Sequence, residues 1–302
     1  ALVIMFDGVE IESSPLTVPV SGDFTTTFAV PDDAEEGTAY VTVKTILGGE
    51  IRKSFLVMGP EIDINTDEGP VGTEVEIEGS GFYAGGEVDI YYHSKDSKVN
   101  MASETATDEG SFSYTLTIPE SAAGVHRITA EDELGNSAEV DFEVLPAIVL
   151  SAYSGAVENN LTVSGSGFAG LSEVEVTFGG FDAAADTTSK YGSFKVTFKV
   201  PVLESGSYAV EAEDEDGNWA KAAFNLSAGI SLNQSHGEVG TPLIVNGVGF
   251  NAAVLITVTY DNTEVATTVS DESGSFSAAF NVPASSGGNH TVAVTDGSHT
   301  AQ

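Results

Sequence analysis

The sequence contains no cysteine. That removes disulfides, thiolate metal sites and cysteine nucleophiles together. A surface protein without disulfides points to a prokaryotic source more than to an animal one. Cations are also scarce: 10 Lys+Arg stand against 46 Asp+Glu, for a formal net charge of −36. Phosphate binding needs a basic face, so the composition argues against nucleic acid as a partner and, for the same reason, against an anionic membrane surface. No apolar run reaches 18 residues, so no helical membrane span is expected. No secretion leader is visible, and any leader is expected to have been removed. Convincing helical periodicity is missing as well. The acidity is uneven. Residues 60–145 hold 20 acidic and 3 basic residues, and residues 228–302 hold 6 acidic and none basic. Such a charge favours solubility and attracts cations without specifying a fold.

What the sequence does have is a long-period repeat, recognisable by three anchors. The first is a glycine-aromatic segment ending before proline: Gly22 to Pro31, Gly110 to Pro119, Gly192 to Pro201 and Gly274 to Pro283. Its phenylalanines, Phe24, Phe112, Phe194 and Phe276, stand 88, 82 and 82 residues apart. The second is a strand running into Gly-x-Gly-Phe, at Val75–Phe82, Leu161–Phe168 and Leu243–Phe250. The third is a strand ending in an acidic turn, Ile128 to Asn136 and Val210 to Asn218. Three anchors in a fixed order give about 80 residues per module, enough for a small core.

Within each module apolar and polar residues alternate with period two. In Thr73–Glu78 a valine and an isoleucine face one way and three glutamates the other; Phe112–Ile118 and Val140–Val144 repeat the pattern. This is the pattern of antiparallel sheets with one face packed and one in water. Gly, Asn, Asp, Ser and Pro separate the segments, as turns require. The fold class expected is all-β: tandem immunoglobulin-like β-sandwich modules in a rod-like array.

The expected modules are 1–59, 60–145, 146–227 and 228–302. The first lacks the Gly-x-Gly-Phe strand; Val3-Ile4-Met5-Phe6 aligns instead with Val88–Tyr91 and Ile256–Thr259. The last lacks the counterpart of Ala138–Val144 and Ala220–Leu226. Two complete modules flanked by two partial ones imply a window on a longer array. An incomplete sandwich exposes an unpaired edge, which a strand from a neighbouring subunit could fill; Ala1 to Phe6 is apolar enough to donate. The simpler reading is that the missing residues lie outside this chain. The joints Met58-Gly59-Pro60, Leu145-Pro146 and Ser227-Ala228-Gly229 are short, which restricts motion between modules.

Gly72–Phe82, read as Gly-x-x-Val-x-Ile-x-Gly-x-Gly-Phe, and Gly240–Phe250 resemble the IPT/TIG immunoglobulin-like domains, in tandem versions found on bacterial and archaeal surface proteins. Glu158 replaces the first glycine in the third module. The resemblance implies a fold and a surface location and carries no catalytic residue.

Candidate sites each have a plain structural reading beside them. Gly79, Gly81, Gly165, Gly167, Gly247 and Gly249 could cradle phosphate, but that needs a following helix, and a β pattern follows; a strand bend or bulge fits better. Asp214, Asp216 and Asn218 place oxygens at alternating positions, as a Ca²⁺ site would and as a solvated hairpin turn would; Glu131-Asp132-Glu133 is related. Asn160, Asn225, Asn233 and Asn289 head Asn-x-Ser/Thr sequons open to glycosylation if exposed. Trp219 either packs at its module's edge or stacks on a sugar. The five histidines are dispersed, with no metal-ligand spacing, and no cofactor is expected apart from Ca²⁺.

Together these features imply a non-catalytic extracellular structural repeat protein, a surface-layer, stalk or filament component whose partners are other copies of itself or neighbouring surface proteins. An adhesin or a carbohydrate-binding accessory is the alternative.

Overall fold

The computed structural model describes residues 1–11, 16–18, 20–31, 34–94 and 97–302. Every regular element among them is a β-strand. The first expected module holds β1 (Leu2–Phe6), β2 (Val9–Glu10), β3 (Gly37–Thr45) and β4 (Glu50–Val57) in one sheet of order β2-β1-β3-β4.

The second holds β5 (Glu61–Ile64), β6 (Glu68–Gly69), β7 (Glu74–Ser80), β8 (Glu87–Ser94), β9 (Ser97–Thr105), β10 (Phe112–Thr117), β11 (Gly124–Asp132) and β12 (Ser137–Val144). They form a three-stranded sheet, β10-β7-β5, and a five-stranded sheet, β6-β12-β11-β8-β9.

The third holds β13 (Ala147–Leu150), β14 (Ser154–Ala156), β15 (Asn160–Ser166), β16 (Glu173–Phe178), β17 (Phe181–Thr187), β18 (Phe194–Lys199), β19 (Gly206–Asp214) and β20 (Trp219–Ser227), in sheets β13-β15-β18 and β14-β20-β19-β16-β17. The fourth holds β21 (Gly229–Leu232), β22 (Pro242–Val248), β23 (Leu255–Tyr260), β24 (Thr263–Val269), β25 (Phe276–Asn281), β26 (Val292–Thr295) and β27 (Thr300–Ala301), in sheets β21-β22-β25 and β24-β23-β26-β27.

The chain divides into two compact units: residues 1–69, 73–117 and 125–143, and residues 70–72, 118–124 and 144–302.

Alternation produces the cores. Along β7, Val75 and Ile77 are fully buried while the glutamates between them are exposed. Along β18, Phe194, Val196 and Phe198 point in and the lysines and threonine point out. In the third module one apolar cluster joins both sheets, with Leu161 and Val163 from one and Val174, Val176, Phe178, Val210 and Phe224 from the other. Sandwich packing of this kind places inner faces about 10 Å apart.

The segment from Phe24 to Pro31 differs from the sequence expectation: it forms no strand. The reason is a missing partner. Its counterparts β10, β18 and β25 each pair with the Gly-x-Gly-Phe strand, β7, β15 and β22, and among the described residues of the first module no strand takes that place. Phe28 still packs edge-on to Phe6, with ring centroids 6.2 Å apart. The exposed edge of that module is apolar at Ile51, Phe55 and Leu56. Ala1–Phe6, the expected donor segment, supplies β1, an interior strand paired with both β2 and β3.

Candidate functional site

The glycine pairs and the buried turn aspartates singled out in the sequence meet at the Gly-x-Gly-Phe turns. The first glycine of the pair lies under an aromatic ring. Gly165 is the register partner of Phe194, and a methyl on it would collide with that ring. Phe194 in turn meets Phe168 edge-to-face at 5.3 Å. The same arrangement joins Phe112 with Phe82 at 5.2 Å and Phe276 with Phe250 at 5.4 Å. The second glycine turns the chain. Gly167 has φ +71° and faces the Leu145 carbonyl so closely that no side chain fits; its left-handed backbone is open to glycine at little cost. These glycines serve packing and turning, as the strand reading held, and no helix follows them.

The acidic turn closes on the same place. Asp214 is buried. Its Oδ1 accepts from the backbone N–H groups of Asp216 and Asn218 and from the Asn218 amide. Its Oδ2 accepts from the same amide and from Ala169 N–H at 2.7 Å, the residue after Phe168. Asp132 repeats the pattern on Leu134, Asn136 and Tyr83. Burial alone would raise the Asp132 carboxyl; its hydrogen bonds, from Asn136 foremost and then from Tyr83, outweigh burial and hold it below the usual carboxylate range.

The fourth module has a third copy that the sequence reading missed. Asp296 accepts from Asn251, Ser298 and His299. It too is held far below the usual range, burial being outweighed by the Asn251 and His299 donors. The partner there is His299 where the sister turns have Asn136 and Asn218, so the acidic-turn pattern does not mark it; its place 82 residues after Asp214 is the signal that could have found it. Asp216 is exposed and reaches Asp214 only through its backbone. Among the described residues no three His, Asp or Glu side chains converge as a metal cage.

Joint contacts gather here as well. In the second unit, Ser205 N–H donates to Gly249 O at 2.8 Å, and Glu204 Oε1 accepts from Ala252 N–H at 2.8 Å. The 118–124 segment of the same unit does likewise: Ala123 N–H donates to Phe168 O at 2.9 Å, and Glu120 accepts from the Ser193 hydroxyl at 2.5 Å.

Trp219 is 56% exposed on the outer face of β20, with the Lys221 ammonium 5.5 Å from its ring. It does not pack away at the edge. Asn160, Asn225, Asn233 and Asn289 are all exposed; the Asn233 Oδ1 also accepts from Ile244 N–H.

His290 Nδ1 lies 2.5 Å from Asp261 and Nε2 lies 2.8 Å from the Ser286 carbonyl. Both partners are acceptors, which favours the imidazolium; the Asp261 bond raises its pKa. The pair resembles a catalytic dyad, but its second nitrogen faces a backbone carbonyl and not a nucleophile. On the second module's outer face, the Lys98 ammonium pairs with Glu131 at 2.9 Å and lies 3.8 Å from the Tyr91 ring, and Asp89 accepts from Ser103, Asn100 and Tyr91.

No family model matches the chain, and no curated protein matches it. Among solved structures, the tetra-tandem repeat in the extending region of a large adhesion protein is 19% identical, with 99% of this chain and 89% of that one covered and a TM-score of 0.29. The SGBP-B protein of a Bacteroides ovatus mixed-linkage glucan utilization locus, in complex with a mixed-linkage heptasaccharide, is 16% identical over 93% of this chain and 83% of that one, with a TM-score of 0.28. The N-terminal eight Ig domains of the Down syndrome cell adhesion molecule are 14% identical over 99% of this chain and 48% of that one, with a TM-score of 0.23. TM-scores this low carry no argument about the chain. The strands and their sheet orders by themselves make the chain an all-β protein of tandem immunoglobulin-like sandwiches.

Proposed function

We propose that this chain is a non-catalytic, extracellular spacer, an array of IPT/TIG-like modules that holds something else at a fixed distance from a surface. The observation that supports the reading most is the joint between the third and fourth modules. Two hydrogen bonds, Ser205 to Gly249 and Ala252 to Glu204, pin the Gly-x-Gly-Phe turn of one module to the module before it. A linker without such bonds would leave the modules free to swing. The chain's −36 charge gives a clean test. Flexible, self-repelling modules spread apart at low salt and draw together when the Debye length falls from about 30 Å at 0.01 M to about 3 Å at 1 M. Small-angle scattering of a pinned array gives the same maximum dimension at both salt concentrations; a dimension that shrinks with salt refutes the spacer reading.

A second reading rests on Trp219. An exposed indole beside Lys221 and Glu213 on one sheet face offers a stacking surface with polar groups next to it, the amphipathic combination that aromatic side chains bring to binding surfaces. It makes the third module a carbohydrate-binding accessory. Binding to a glycan panel that is lost in Trp219→Ala supports it; no binding by the parent chain removes it.

A further inference from the structure

One ring recurs at the same place in three modules. His126, Tyr208 and His290 follow one another at intervals of 82 residues. Each packs on an aromatic ring at the end of a neighbouring strand: His126 on Tyr92 of β8 at 5.3 Å, Tyr208 on Phe178 of β16 at 5.5 Å, and His290 on Tyr260 of β23 at 4.9 Å.

In the third module this ring is a post for the joint. The Tyr208 hydroxyl donates to Glu204 O at 2.8 Å. Glu204 and its neighbour Ser205 make the bonds to Ala252 and Gly249 of the fourth module, so the tyrosine fixes the loop from which both bonds start. Burial first, and then Glu204, raise the phenol above its ordinary value of about 10. The post therefore keeps its proton at neutral pH.

In the fourth module a histidine takes the same post. His290 Nε2 lies 2.8 Å from the carbonyl four residues back, Ser286 O, as the Tyr208 hydroxyl does from Glu204 O. Its Nδ1 lies 2.5 Å from Asp261 Oδ2, and Asp261 Oδ1 accepts from Thr291 N–H at 3.0 Å. Two acceptors need two donors, and a neutral imidazole has one donor nitrogen only. Loss of the ring's proton therefore gives up either the bond to the loop or the bond to Asp261. The groups around the ring leave that proton in control. Pro283 to Asn289 carry no charge. The Tyr260 hydroxyl meets Ser285 of the same loop at 3.3 Å, Glu264 at the start of β24 is exposed, and Asp261 is the charge that acts on the ring.

We infer that the 283–290 segment is a proton-gated latch, held on the fourth module by a doubly donating His290 and released when that ring becomes neutral, at the place where the third module has a tyrosine that stays closed. The sign follows from linkage. The latch is closed below the ordinary histidine value of about 6.5 and opens as pH rises through the folded pKa.

The test uses the whole chain with Gly287→Cys, since a side chain there meets nothing within 4 Å and the chain has no cysteine of its own. A nitroxide at this position is followed by electron paramagnetic resonance from about pH 5 to about pH 9, on either side of the histidine range. The label should be immobilised in acid and mobile in base, through one transition centred above about 6.5. Asp261→Asn should move the transition to lower pH. His290→Tyr, which gives this place the third module's residue, should abolish it and leave the label immobilised throughout. A label at Thr197→Cys, exposed on the third module, should show no transition. Mobility at position 287 that does not change with pH overturns the inference. So does a transition that survives His290→Tyr, one that Asp261→Asn leaves in place, or one that the label at position 197 shares.

Discussion

Phe194 lies across Gly165, its partner in the strand ladder, with no room between them for a methyl group. The glycine provides the space that the ring fills, and Phe168 closes the ring from its edge. Gly165→Ala is therefore an overpacking change in a core without slack and is expected to destabilise the third module by about 1–3 kcal/mol. Trp219, the sequence's single tryptophan, lies in this module and reports its urea unfolding by fluorescence. Ser164→Ala, on the neighbouring position of the same strand, serves as the control. A Gly165→Ala midpoint equal to that of the control contradicts the packing account.

The Asp132 carboxyl ties the 132–136 turn to Tyr83. Asp132→Asn keeps the shape and loses an acceptor, at about 1.5–3 kcal/mol for bonds to a charged group. The pH dependence has a definite sign. A carboxyl whose folded pKa is depressed stabilises above its unfolded value of about 3.9, and that stability is lost as pH falls through the folded pKa. The gap between wild type and Asp132→Asn is thus full at pH 7 and narrows in acid. Urea midpoints at pH 7 and pH 3 measure it, and a gap that does not change with pH contradicts the assignment.

His290 carries the opposite sign. Its pKa is raised, first by Asp261 and then by the Ser286 carbonyl. Its contribution is present below the unfolded value of about 6.5 and is lost as pH rises through the folded pKa. Imidazole resonances followed by NMR should titrate above 6.5 for His290 and return toward it in Asp261→Asn. Titration at or below 6.5 in the parent chain rules out the doubly donating ring.

Calcium is expected to do little at the turn of Asp214, Asp216 and Asn218, since both Asp214 oxygens already accept N–H donors. Melting temperatures with calcium and with magnesium should coincide. A shift specific to calcium that disappears in Asp216→Asn would establish a metal site there.

The strands were legible because alternation is strong. Glu74-Val75-Glu76-Ile77-Glu78 leaves one arrangement that buries the aliphatics, and the repeat located the turns. The sequence did not show how parts meet across long separations. Asp214 was visible as an acid in a turn, but its bond to Ala169, 45 residues away, depends on two sheets coming together. Asp296 was hidden because His299 occupies the place of the asparagine. Phe24 to Pro31 has the pattern of a strand and forms none, since a ladder needs a second strand as much as a sequence does.

The central claim, a pinned joint, is tested most directly by a distance. The chain has no cysteine of its own, so Thr197→Cys and Ser277→Cys, both exposed and on the third and fourth modules, place two spin labels without background. Double electron–electron resonance should give one narrow distance distribution. A broad or multiple distribution in the parent chain would show that Ser205 and Glu204 do not hold the joint, and the spacer account would fail.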